Sequence, residues 1–152
     1  CGSVEQVDKI VRYFQSRENL GMLGPEGLVF KPVGRFGYFP ARRQAAMRQV
    51  WELMVNESLP EDRMQWSMNA GSFYWARAGF FLGDPTFQAA VPRLMEIMPR
   101  GYSRGSCCQP PHGLERALPT WIKWRGYGVL SVRNQRHKGL ISTHRNVTDT
   151  ED

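Results

Sequence analysis

A mainly α-helical single domain with a small C-terminal β-hairpin is the fold class this sequence predicts, on three observations. Apolar residues recur at i, i+3, i+4, i+7 through much of the chain, capping residues stand before several of these stripes, and a strand-like pair of runs follows only near the C-terminus. The 152 residues are 41% hydrophobic and 12% aromatic, enough apolar surface to offset chain entropy in one compact domain. We expect that domain to span residues 1–146, with 147–152 a frayed acidic tail.

The first helix is expected to start at Ser3, which with Gln6 forms a capping box, and to carry Val7, Ile10, Val11 and Phe14 to an end at Gly21. Glycine and proline then punctuate residues 21–27, which read as loop, and Leu28 to Val33 suit a short extended segment. The clearest stripe follows at Met47, Val50, Trp51 and Met54, within a helix opened by Pro40 and running to Val55. A second capping box, Ser58 with Glu61, predicts a helix continuing through Met64 and Met68. Residues 72–82 are expected to form a central core helix that buries Phe73, Trp75, Ala76, Phe80 and Phe81, with Arg77 either snorkelling or aimed at a ligand.

Asp84-Pro85 caps the next helix, striped by Phe87, Val91, Leu94 and Met98, which Pro92 kinks or divides. Residues 99–113 read as a long loop, followed by short helices from Leu114 and from Pro119. Tyr127 to Arg133 and Lys138 to Thr143 complete the chain as two strands joined by a polar turn. The predicted core centres on Trp51, Phe73, Trp75, Phe80 and Phe81.

Charge points to function more than any motif does. The net charge is +6, and sixteen of the 20 basic residues are arginine, the side chain whose planar fork pairs bidentately with phosphate and stacks on rings. In the helix around Trp51, Arg42, Arg43 and Arg48 crowd the N-terminal half while Glu52 and Glu57 stand at the other end, against the helix dipole. An anion at the helix N-terminus would relieve that order. From Arg116 to Arg145 seven basic residues occur with no acidic one, interleaved with Trp121, Trp124 and Tyr127.

The expected function is therefore a non-enzymatic nucleic-acid-binding domain, RNA or single strands favoured over duplex DNA, nucleocapsid-like or silencing-suppressor-like by analogy. Arg35, Arg42 and Arg43 form one phosphate-contacting wall; Arg125, Arg133, Arg136 and Lys138 form a second. The alternative is a protein-interaction module with an exposed Trp/Met surface. A homo-oligomer is compatible with either.

Enzymatic readings fare worse. Gly101-Tyr102-Ser103-Arg104-Gly105 matches G-x-S-x-G but lacks the preceding strand and following helix that a nucleophile elbow needs. Cys107, Cys108 and His112 are weak zinc ligands because neighbouring cysteines seldom ligate together, so neither metal nor cofactor is expected. With three cysteines, no signal peptide and no apolar run near eighteen residues, an intracellular, membrane-free location is expected.

Overall fold

The computed structural model describes residues 3–25, 28–30, 41–60, 67–69, 71, 73–99 and 109–132. Among them are five helices and a three-stranded sheet of order β4-β1-β5, so the chain is mainly α with a minor β part. The elements run α1 (Val4–Gln15), β1 (Leu20–Pro25), β2 (Val29–Phe30), α2 (Ala41–Val55), β3 (Met68–Asn69), β4 (Trp75–Ala76), α3 (Gly79–Leu82), α4 (Pro85–Ile97), α5 (Pro110–Trp124) and β5 (Gly128–Val132).

α1 starts where its cap predicts, with the Ser3 hydroxyl accepting from the Gln6 N–H. It stops at Gln15 instead of reaching Gly21, because the chain turns at Ser16 to enter β1. β1 replaces the expected loop. Its glycines serve close packing: a Cβ on Gly21 would stand 2.4 Å from Ile122 Cγ2, and one on Gly24 would stand 2.5 Å from Val29 Cγ2.

β1 is the central strand, antiparallel to β4 and parallel to β5. Alternation along the strands divides the core in two. Met22 and Val129 face the helices α2, α4 and α5, while Leu23, Leu130 and Val132 face α1 through Ile10, Tyr13 and Phe14. Leu20 shares the α1 side with Leu23 because an irregularity between Leu20 and Met22 shifts the register. Of the expected hairpin, β5 forms and pairs with β1; residues 138–143 lie outside the described residues.

The expected helix around Trp51 is α2, and its stripe is the deepest part of the main core: Met47, Val50, Trp51 and Met54 are fully buried. Asn56, in the left-handed region at φ 60°, ends it. Two other helices differ from expectation. Met68 lies in β3, paired with Phe30 of β2, so no helix continues through it. Residues 72–82 do not form the central helix: Trp75 and Ala76 pair with Leu23 and Met22, Phe73 is 70% exposed, and only Gly79–Leu82 is helical. The sheet register outweighs helix propensity there.

α5 takes the central place. It runs unbroken through Pro119 and starts within the expected loop, with Gly113 on α2: a Cβ there would stand 2.3 Å from the Ala46 carbonyl oxygen. α4 likewise continues through Pro92, which is exposed, so water can satisfy the carbonyl that has no N–H partner there. Its Asp84 cap is as expected, but Ala90 and Leu94 are buried while Val91 points outward at 41% exposure. Edge-to-face contacts join Tyr127, Phe80 and Trp121, and Phe87 stacks on Trp121 at 5.3 Å.

Candidate functional site

α2 and α5 run in the same direction. Gly113 meets Ala46 and Val50, and five residues further along α2 the Trp51 ring lies 5.6 Å from Trp124, near the end of α5. At ~1.5 Å rise per residue, an antiparallel arrangement would put those two rings far beyond contact. Both helix N-termini therefore lie at one end of the pair.

Arg42 and Arg43 fall in the first turn of α2, where there is no acidic residue, and none occurs in the first turn of α5 either. Two turns into α2, Arg48 Nη2 donates to Gln44 Oε1 at 3.3 Å. On α5 the Arg116 side chain is buried at 5% exposure and its Nη1 donates to the His112 carbonyl. Beside it, His112 Nδ1 and Gln109 Oε1 are buried with no hydrogen-bond partner. The two helix ends differ in donors. Pro110 and Pro111 have no N–H, and the His112 N–H is taken by Gln109 O at 3.0 Å, so α5 contributes its dipole alone. Free backbone donors for an anion can come only from α2.

Arg125 sits at the other end of α5, as its C-cap. Its Nη1 pairs with Asp84 Oδ2 at 2.5 Å, and its guanidinium lies 5.8 Å from the Trp121 ring centroid. Burial would raise the Asp84 carboxyl, but the Phe87 N–H and the Arg125 guanidinium outweigh it and hold the group below its ordinary value. Asp84 thus links the α4 N-terminus to the α5 C-terminus, and Arg125 already has an internal counter-ion. Arg125 thus lies about the length of α5, ~20 Å, from the N-terminus of that helix. Trp124, 46% exposed, is the aromatic surface next to Arg125.

Arg35, Arg133, Arg136 and Lys138 lie outside the described residues, as do Cys107, Cys108 and residues 101–105. Arg77 has a structural role that the sequence did not suggest. Its Nε donates to Leu20 O at 2.6 Å and its Nη2 to Phe14 O at 2.6 Å and Arg17 O at 2.5 Å, so it gathers the carbonyls that follow α1. Arg116, counted from sequence with an exposed basic face, is instead buried. Reading residues 110–124 as one helix would have shown this, since 113, 116, 117, 120 and 121 share one stripe.

Among the described residues no cluster of three metal-ligating side chains occurs, and no helix is long and apolar enough to cross a membrane. No protein-family model, curated protein or solved structure matches this chain.

Proposed function

We propose that the protein is a non-enzymatic nucleic-acid-binding domain that holds the phosphates of RNA or a single strand at the shared N-terminal end of α2 and α5. One observation supports the reading: α2 and α5 run in the same direction, and the first turn of α2, which contains Arg42 and Arg43 in sequence, has no carboxylate, nor has that of α5. Two adjacent dipole ends and a set of arginines repel one another, and a phosphate backbone offsets that repulsion. Trp124 and Arg125 lie ~20 Å away, a distance that an extended strand can bridge, with Trp124 available for base stacking. Arg35, Arg133, Arg136 and Lys138 complete the two walls in this reading.

The test is binding of labelled mixed-sequence single-stranded RNA over a salt series, comparing the natural chain with Arg42→Ala/Arg43→Ala and with Arg133→Ala/Arg136→Ala. Micromolar or tighter binding is expected, with each double variant lowering the log–log salt slope by roughly 1.4, or ~0.7 for each phosphate no longer neutralised. Absence of binding at low salt, or a slope unchanged in both variants, defeats the reading.

A protein-interaction module is the second reading, and a separate observation favours it. An open apolar groove of about 470 Å³ runs between α1 and β4, lined by Ile10, Val11, Phe14 and Trp75, with Arg77 at its edge. Among the described residues of the Trp/Met surface expected from sequence, Met22, Met47, Met54, Trp51 and Trp121 are buried, Trp75 and Met98 are partly exposed, and Met95 and Trp124 are exposed. Binding through this groove would persist at a salt concentration that abolishes RNA binding.

A further inference from the structure

We propose that the outer face of α4 pairs two copies of this chain about a two-fold axis. α4 buries a narrow stripe, Ala90 and Leu94 with Phe87 partly covered. Its opposite side presents Gln88, Ala89, Val91, Pro92 and Met95 to solvent. Leu82 is drawn alongside by the hydrogen bond from Gln88 Nε2 to its carbonyl. Met95 is 69% exposed, Leu82 74% and Val91 41%. Solvated helix faces ordinarily carry mixed charges, whereas α4 has only Arg93 and Glu96 in its whole length.

Charge identifies the occupant. The chain carries +6, so copies repel over most orientations, but α4 itself is neutral. At ~100° per residue, Arg93 and Glu96 lie on one flank of the outer face, and Val91 and Met95 lie on the other. In an antiparallel pair of α4 helices centred near Leu94 and Met95, Arg93 meets Glu96 of the partner subunit and Glu96 meets the partner's Arg93. A two-fold contact demands this reciprocity, in which residue i touches j and j touches i. The apolar flank then closes on its own counterpart. The Nη2 of Arg93 donates to the Leu53 carbonyl of α2 at 3.2 Å, and its other guanidinium nitrogens are the donors that would meet the partner's Glu96. A polyanion would be met by cations, and neither Glu96 nor the Met95 flank suits one.

The experiment is sedimentation equilibrium of the nuclease-treated full chain from low micromolar to sub-millimolar concentration. The expected mass rises with concentration to twice 17.5 kDa. Met95→Lys, at an exposed position that should leave the melting temperature unchanged, places two ammonium groups near the axis and raises the dissociation constant by ~100-fold or more. Glu96→Arg also weakens the dimer, and Arg93→Glu/Glu96→Arg, which swaps the charges reciprocally, restores it. A natural chain that stays monomeric throughout overturns the proposal. So does a dimer that survives both Met95→Lys and Glu96→Arg.

Discussion

Gly113→Ala isolates the contact on which the main core depends. In a solvated helix this change stabilises by ~1 kcal/mol, because glycine is the poorer helix former. At Gly113 the new Cβ would stand 2.3 Å from the Ala46 carbonyl oxygen, 2.7 Å from the Ala46 carbonyl carbon and 3.1 Å from Val50 Cγ2. The first two are backbone atoms of α2 and no rotamer change relieves them. Restoring ordinary contact requires the helices to part by ~1 Å, a gap that forfeits a quarter to a half of the dispersion attraction across it. The atoms affected include Met47, Val50 and Trp51 against Ala117, Leu118 and Trp121, all buried. A cost of ~3 kcal/mol, at the upper end of overpacking, less the ~1 kcal/mol propensity gain, leaves a net loss of ~2 kcal/mol. Urea unfolding followed by tryptophan fluorescence measures it, with Gly79→Ala as the control, since a Cβ on Gly79 meets nothing within 4 Å. A Gly113→Ala protein as stable as the natural chain would refute the close crossing of α2 and α5.

Three further substitutions probe the polar contacts. Thr120→Val removes the hydroxyl that accepts from the Ser67 N–H at 3.0 Å and donates to the Ser67 carbonyl at 3.1 Å. Leaving both buried backbone groups unpaired should cost ~2–5 kcal/mol in denaturant unfolding, with Thr120→Ser recovering most of it. Arg77→Lys keeps the charge but cannot serve three carbonyls in one fork, so a loss of ~2–3 kcal/mol is expected, with faster amide exchange concentrated in α1 and β1. Asp84→Asn tests linkage. Because the folded carboxyl is held below its ordinary value, its contribution is complete above the unfolded range near pH ~4 and is lost as pH falls through the folded value. The stability difference between natural chain and variant should thus be constant from neutrality to about pH 5 and shrink under about pH 4. A difference that grows on acidification would contradict the assigned direction.

Two helix starts, those of α1 and α4, were legible because caps are local. Ser3 and Asp84 each accept from the N–H three residues on, and this requires nothing from the rest of the chain. The Met47, Val50, Trp51, Met54 stripe was legible for a related reason, since its period alone defines a buried face. The sheet was not legible. β1 contains two glycines and a proline, and these residues ordinarily mark turns; only the packing of Ile122, Tyr127 and Val29 against the bare Cα atoms shows why they stand in a central strand. β4 is two residues long and is held by its register to Met22 and Leu23, so no local pattern could separate it from the helix expected at 72–82. Prolines misled in the opposite direction: Pro119 lies within α5, where the burial of its neighbours outweighs one missing hydrogen bond. Of the expected site residues, only Arg125 has a described side chain, and its pairing with Asp84, 41 residues away in sequence, could not be read from local composition.

The charge order of α2 acquires a physical setting from the fold. Alone, Arg42 and Arg43 in its first turn oppose the dipole by a few tenths to ~1 kcal/mol each. Placing α5 beside it in the same direction adds a second positive helix end and the buried guanidinium of Arg116. Burial offsets this: Met47, Val50, Trp51 and Met54 are fully enclosed, each contributing ~1.5–3 kcal/mol relative to exposure. That burial exceeds the dipole cost of first-turn arginines, so the fold tolerates their order in the sequence. Reducing that repulsion by substitution should stabilise the free protein while weakening its hold on an anion, so Arg42→Ala/Arg43→Ala is expected to raise the melting temperature at low salt, with the gain fading as salt screens the cluster. No gain at low salt would show that these arginines do not act against the helix end, whereas the RNA salt slope of the same variant decides whether they hold phosphate.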